Sequence, residues 1–226
     1  MAAKLDIRID VVSDVVCPWC YVGSKRLQQA LAGLPNVVAE VQWRPFQLDP
    51  TIPAEGMDRK TYMRNKFGND DARLKAMHDR LIESTRDAGI PFAFDRIKVA
   101  ANTLDAHRLI RWAGGQGAAV QDKVVRALFK ANFEDGRNIG DHAVLTEIAG
   151  ECGMDVAVVS ALLPTDADRE EVRQEIAQAQ RMGVTGVPCF LLENKYAVMG
   201  AQPTEALADA IRQVAEAKAA GKLDAA

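Results

Sequence analysis

Cys17 and Cys20 stand two residues apart, with Pro18 and Trp19 between them. On the first turn of a helix, that spacing brings the two side chains within disulfide reach. In a chain without a disulfide framework, such a pair serves redox exchange or binds a metal. A cysteine that opens a helix faces unpaired backbone N–H groups and the positive end of the dipole, which favours its thiolate. The thiolate is the nucleophile in disulfide exchange, so position alone makes Cys17 the attacking sulfur. Cys20 lies one turn further in and is expected to be more buried. Its role would be to resolve a mixed disulfide by attacking Cys17. Pro18 suits the first helical position, where its missing N–H costs nothing. Trp19 carries no ionisable group and reads as an apolar surface beside Cys17 for substrate docking.

The competing readings are an inert buried pair and a closed zinc site, and zinc needs about four ligands. The remaining cysteines, Cys152 and Cys189, are single, and His78, His107 and His142 are scattered. No metal is therefore expected. The second chemical signal is Gly183-Val184-Thr185-Gly186-Val187-Pro188. Proline is tolerated where a strand opens, and the glycines suit a tight turn around a cis peptide.

The elements that must position these residues follow from hydrophobic period. Leu5, Ile7, Ile9 and Val11 alternate with Asp6, Arg8 and Asp10, which predicts a strand with one polar face. Leu27, Ala30, Leu31 and Leu34 recur at helical spacing after the cysteine pair. Ala39, Val41 and Trp43 then predict a second strand ending near Pro45, parallel to the first in a β-α-β unit. From about residue 57 the period is helical. Leu74, Met77, Leu81 and Ile82 mark one helix, broken at Gly89-Ile90-Pro91. Further helices carry Ala106/Leu109/Ile110/Ala113, Val120/Val124/Leu128/Ala131, Val144/Leu145/Ile148/Ala149/Cys152 and Val172/Ile176/Ala179/Met182. Asn102 or Thr103 reads as the N-cap of the helix at Ala106, with Asn102 the simpler choice. Val187–Leu192 and Tyr196–Met199 then predict a hairpin, and Leu207, Ile211, Val214 and Ala215 a last helix.

The 226 residues carry a net charge of −3 and are 48% hydrophobic, which excludes a disordered chain. Balanced charge gives no general attraction to nucleic acid or anionic lipid, so neither is an expected partner. No run of about 18 apolar residues and no apolar leader core is present, so a membrane role is not expected and the cytosol is. Four cysteines are too few for a disulfide scaffold.

Taken together, these motifs resemble the thioredoxin superfamily, and within it the FrnE-type branch of the DsbA family. The resemblance rests on Asp14-Val15-Val16-Cys17-Pro18-Trp19-Cys20-Tyr21-Val22-Gly23, on Asn102 to Leu109, on Phe133 to Ile139 and on Gly183 to Phe190. It implies an α/β thioredoxin fold (β-α-β … β-β-α) with a large inserted α-helical domain. Residues 1–50 and 184–219 would form the thioredoxin-like part, 51–183 the insertion and 220–226 a frayed tail. It implies Cys17 as nucleophile, Cys20 as resolving cysteine, and Val187-Pro188 as a cis-proline loop holding a substrate strand through the Val187 backbone. The related 2-hydroxychromene-2-carboxylate isomerases and kappa-class glutathione transferases have serine at the first position. This chain keeps both cysteines, which argues for dithiol chemistry.

The expected activity is thiol–disulfide exchange or isomerisation on disulfides of a protein, peptide or small molecule. No cofactor is expected beyond the redox pair, with glutathione as a candidate co-substrate. A glutathione-dependent isomerase or transferase, and a redox-sensing chaperone-like module, are the alternatives. Cys189 departs from the family pattern. It is either a third thiol able to bond the active pair or a small buried hydrophobe, and packing preference favours the latter. His107 is either a proton shuttle or a helix residue bridging to a neighbouring segment, with the bridge favoured. Cys152 reads as core, as do Met57, Met63, Met77 and Trp112. Phe92 and Phe94 belong to a loop that would overhang the site.

Overall fold

A computed structural model describes residues 4–223. Strand β1 (Leu5–Ser13) runs parallel to β2 (Val37–Pro45), with Ile9 opposite Val41 and Val11 opposite Trp43. Helix α1 (Pro18–Ala32) makes the crossover. Near the C-terminus, β5 (Cys189–Leu192) pairs antiparallel to β1, and β6 (Tyr196–Met199) to β5. The sheet order is β2-β1-β5-β6, and α9 (Thr204–Ala219) returns against α1 and β1. This is the β-α-β … β-β-α thioredoxin arrangement. The β5–β6 turn bends through Glu193 and Asn194, both in the left-handed region.

Strand period two sorts the sheet into two faces. Ile7, Ile9, Val11, Phe190 and Leu192 join α1 and α9 residues Leu27, Ala30, Leu207 and Ile211 in the main core. Val12 and Cys189 point to the other face, where Phe46, Ala179 and Val184 meet them. The charged alternates of β1 are not all solvated: Asp10 is buried and is held by Arg8 at 2.8 Å and Arg44 at 2.5 Å.

The segment between β2 and β5 contributes α2 (Arg59–Phe67), α3 (Asp71–Ser84), α4 (Leu104–Gly115), α5 (Ala118–Phe133), α6 (His142–Glu151), α7 (Val156–Leu162) and α8 (Arg169–Arg181). The reading of residues 51–183 as wholly helical needs correction. β3 (Met57–Asp58) and β4 (Val99–Ala100) form a two-stranded antiparallel ribbon, and two single-turn 3₁₀ segments lie at Arg86–Ala88 and Phe94–Arg96. Two-residue strands are too short to show a period. α3 also packs less than its pattern suggests, because Met77 and Ile82 are exposed while Leu81 is buried. Its N-cap Asp70 and the Lys75–Asp79 pair support it locally instead. Met63 is buried, Met57 is half-buried, and Trp112 packs partly against the core. Cys152, which follows the last residue of α6, is buried in the core as expected.

Helix α9 ends at Ala219, and residues 220–223 of the expected tail are described. Gly221 donates to the Lys218 carbonyl and Lys222 to that of Ala217, which closes the end of α9. Residues 224–226 of that tail lie outside the described residues.

Candidate active site

The site is built where β1 runs out. After Ser13 the chain turns, and the Cys17 N–H donates to the Asp14 carbonyl at 2.9 Å. Cys17 is the N-cap of α1 and Pro18 its first residue. The Cys20 and Tyr21 N–H groups both return to the Cys17 carbonyl. Cys17 and Cys20 lie 3.5 Å apart as free thiols. Both are buried, Cys20 more completely, and Trp19 between them is exposed.

The two sulfurs differ in acidity for identifiable reasons. The Cys20 thiol, hydrogen-bonded to Cys17, holds the Cys17 thiol below its usual range, while burial and the Asp14 charge oppose this. Cys20 is pushed well above its usual range by burial and by its contact with Cys17. The Ser13 hydroxyl and the Asp14 backbone N–H pull against that rise. The pair is thus asymmetric in the sense that exchange chemistry needs, with one thiol that ionises early and one held protonated.

Across from them the Val187–Pro188 peptide is cis. The Val187 carbonyl lies 3.8 Å from Cys17 Sγ. The Pro188 carbonyl accepts from Gly200 N–H at 2.8 Å, which ties this loop to the end of β6. Gly183, at φ +87°, lets the chain leave α8 and reach the loop, with Val184 buried beneath it. The structure therefore gathers Cys17, Pro18, Trp19, Cys20, Val187 and Pro188 in one place.

It does not gather Cys189. That side chain is fully buried on the opposite face of the sheet, with Val12, Phe46, Ala179 and Val184, and burial pushes its thiol up. The reading as a small buried hydrophobe describes its surroundings. His107 bridges as well: its Nε2 lies 2.9 Å from the Phe46 carbonyl and 3.4 Å from Asp14 Oδ1. Thr103 rather than Asn102 occupies the N-cap of α4. Asn102 Oδ1 accepts from Leu104 N–H, and its amide donates to the Ile52 carbonyl.

Tyr21, next to Cys20, anchors the helical segment over α1. Its ring stacks on Phe129 at 5.0 Å and meets Phe92 edge-on at 6.2 Å; Phe92 stacks on Phe94 at 4.9 Å. The loop after Gly89 is therefore fastened to the first turn of α1. The Tyr21 phenol donates a short hydrogen bond to Glu134, and burial together with that carboxylate pushes it up.

Sequence reasoning missed two residues. Gly23 was read only as part of a motif, yet a Cβ there would fall 2.9 Å from Pro188 Cγ and 3.1 Å from Phe190 Cζ. Asp14 is buried, with Oδ2 accepting from Leu48 N–H and Oδ1 without a hydrogen bond among the described residues, facing His107 Nε2 at 3.4 Å. A glycine in a helix and an aspartate three residues before a cysteine were the available signals.

Residues 8–212 match the family described as DSBA-like thioredoxin domain. The chain belongs to that family. A crystal structure from Streptomyces coelicolor, described as a probable DsbA oxidoreductase, is 33% identical. It covers 92% of this chain and 89% of its own, with a TM-score of 0.83. YwbO of Bacillus subtilis, described as uncharacterized, is 28% identical over 191 residues, which is 83% of this chain and 88% of YwbO. Cytosolic disulfide reductase DsbM of Pseudomonas aeruginosa, solved with glutathione, shares the fold. It is 20% identical, covers 92% of this chain and 98% of its own, and has a TM-score of 0.63. The DsbA-like chain described here is accordingly a thioredoxin-fold member of a thiol oxidoreductase family. Among its described residues no helix is long and apolar enough to cross a membrane.

Proposed function

We propose that the protein catalyses thiol–disulfide exchange through Cys17 and Cys20, on disulfides presented by an extended peptide segment. The observation that carries this is the Cys17 thiol, held below its usual range beside a more buried partner thiol 3.5 Å away and facing the Val187 carbonyl. In the first step the Cys17 thiolate attacks one sulfur of the substrate disulfide. A Cys17–substrate bond forms, and the second substrate sulfur leaves as a thiolate and takes up a proton. Cys20 then loses its proton and attacks Cys17 Sγ. The Cys17–Cys20 bond forms, the Cys17–substrate bond breaks, the substrate sulfur that Cys17 first attacked departs as a thiolate and takes up a proton, and the protein pair has been oxidised by two electrons as the substrate is reduced.

The backbone preceding Pro188 supports substrate alignment, because an extended segment can pair with a free peptide edge. Exposed Trp19 supplies apolar contact beside it. Glutathione is the co-substrate that would return the oxidised pair to dithiol, a reading supported by DsbM having been solved with it. A reducing cytosol would keep the pair as a dithiol and favour reduction or isomerisation.

The test is reduction of insulin disulfides by a glutathione-coupled assay. Wild type should turn over and Cys17→Ser should not. Equal rates in the two would remove the proposal.

A further inference from the structure

Strand β2 is an edge of the four-stranded sheet. In a parallel pair, successive residues turn their N–H and C=O groups alternately toward the neighbouring strand and away from it. Leu5 N–H reaches the Asn36 carbonyl and Phe46 N–H the Ser13 carbonyl, so the even-numbered residues of β2 face β1. Val37, Ala39, Val41 and Trp43 therefore present theirs outward. Val37 N–H is taken by the Leu34 carbonyl at 3.0 Å. At Trp43 the Gln121 carboxamide stands in for a strand: its Oε1 accepts from the N–H at 2.9 Å and its Nε2 donates to the carbonyl at 3.2 Å. Ala39 and Val41 are left as an open edge, which is a template for another extended chain.

A cleft of about 610 Å³ runs along that edge, a volume typical of ligand sites. One wall is the Ser24, Leu27 and Leu31 face of α1. The Trp43 end is closed by the first turn of α5, at Ala118 and Ala119. Ser24 is 2% exposed, and its hydroxyl has no hydrogen bond among the described residues. A hydroxyl taken out of water without a partner is costly, so it marks a place for a ligand's polar group. Helix α5 starts at Gly117 with no side-chain cap and no acidic residue in its first turn. Such a helix start favours a carboxylate. Arg8, Lys218 and Asp122 on the walls are already paired, with Asp10, Glu193 and Arg126. Asp6 and Glu40 lie exposed on the rim, where solvent screens them.

We propose that this cleft binds the C-terminal segment of a partner protein as an added strand of the sheet. The segment lies parallel to β2, which carries its terminal carboxylate to the Trp43 end and the first-turn N–H groups of α5. Ala39 and Val41 supply backbone hydrogen bonds, and alternate side chains of the segment face Leu27 and Leu31. The fitting ligand is an extended tail with small apolar residues at alternate positions and a free carboxylate. Neither Cys17 nor Val187 lines the cleft, so the site is independent of the exchange proposal. Ser24 lies about two turns along α1 from Cys17, so a tail held here tethers its protein near the redox pair.

The test uses the full chain, immobilised, and a pool of cysteine-free pentapeptides with valine, isoleucine, leucine or alanine alternating with threonine. One pool has free C-termini and its twin is amidated. Wild type should retain the free-carboxylate pool about fivefold over the amidated one. Adding the free pool should slow amide hydrogen exchange at Ala39 and Val41. Ala119→Glu is compatible with a helix start and should abolish the preference for the free pool by repelling its carboxylate. Ala39→Pro removes an N–H that β1 does not use, which an edge strand tolerates, and should weaken retention of both pools.

No retention of either pool, equal retention of the two by wild type, or an unchanged preference in Ala119→Glu would overturn the proposal. Protection at Val187 in place of Ala39 and Val41 would overturn it too, since the peptides would then sit at the redox loop. If Ala39→Pro does not fold, Ala119→Glu and the wild-type exchange pattern decide the matter. Insulin reduction by Ala119→Glu should equal that of wild type, and Cys17→Ser should retain the peptides, so failure of either proposal leaves the other testable.

Discussion

Gly23 of α1 and Pro188 of the cis-proline loop approach so closely that no other residue type fits at position 23 without movement. A Cβ at Gly23 would sit 2.9 Å from Pro188 Cγ and 3.1 Å from Phe190 Cζ. The missing side chain lets the helix that carries Cys17 and Cys20 lie against the loop that carries Val187.

Gly23→Ala therefore sets two effects against each other. Alanine in a helix interior gains about 1 kcal/mol over glycine. Overpacking against a rigid proline ring costs about 1–3 kcal/mol. The expected net result is a loss of stability in urea unfolding, with slower exchange because the loop is pushed from Cys17. A variant more stable than wild type would show that the loop yields freely.

Cys20→Ser should stop the reaction after its first bond. Without the second thiol, the mixed disulfide on Cys17 has no internal attacker. Incubation with oxidised glutathione should then accumulate a one-to-one adduct, seen as a mass increase and mapped to Cys17. Adduct at Cys152 or Cys189 instead would be unexpected, since burial pushes both thiols up.

Arg108 is fully buried and its guanidinium is shared among five acceptors. Nε donates to the Ala167 carbonyl, Nη1 to Asp105 and the Leu163 carbonyl, and Nη2 to the carbonyls of Leu162 and Thr165. It fixes the α7–α8 connection to α4. Arg108→Ala is expected to cost about 3–5 kcal/mol, because it strands those acceptors out of water. Chemical denaturation measures this, and a loss below about 1 kcal/mol would mean the carbonyls had found other donors.

Asp87 gives a pH signature. Its carboxylate receives two 2.7 Å bonds from Arg26, whose Nη1 also reaches the Ala201 carbonyl. The hydrogen bond to Arg26 holds Asp87 below the usual carboxylate range. A carboxyl depressed on folding adds stability above its unfolded value of about 3.9, and that stability is lost as pH falls through the folded value. Asp87→Asn should therefore be less stable than wild type near neutrality by at most about 1 kcal/mol, since Asp87 is half exposed. The difference should vanish in acid, as followed by urea midpoints. A gap that persists in acid would assign the effect to packing instead.

The residues of β1, α1, β5 and α9 announced themselves because their burial follows a period. Ile7, Ile9 and Val11 repeat every second residue, and Leu207, Ile211 and Val214 follow helical spacing. β3 and β4 left no such trace. Two residues have no period, and Met57 meets Ala100 only because the chain returns there. The apolar stripe of α3 misled in the other direction, since a stripe shows that a helix can bury a face and not that anything covers it.

At the site, the sequence alone determined that Cys17 and Cys20 stand together, and in which order. Two thiols separated by Pro18 and Trp19 after a strand must share the first turn of a helix, and the first of them must face its N–H groups. That is local geometry, dictated by the chain itself. Only the tertiary structure decided what surrounds the pair. Cys189 is adjacent to Pro188 in sequence but faces the far side of the sheet, because consecutive strand residues point in opposite directions. Asp14 and His107 are 93 residues apart and meet because α4 packs against β2, the strand beside β1. Contacts of this kind depend on how the helical segment folds back over the sheet, and neither spacing nor composition encodes that return.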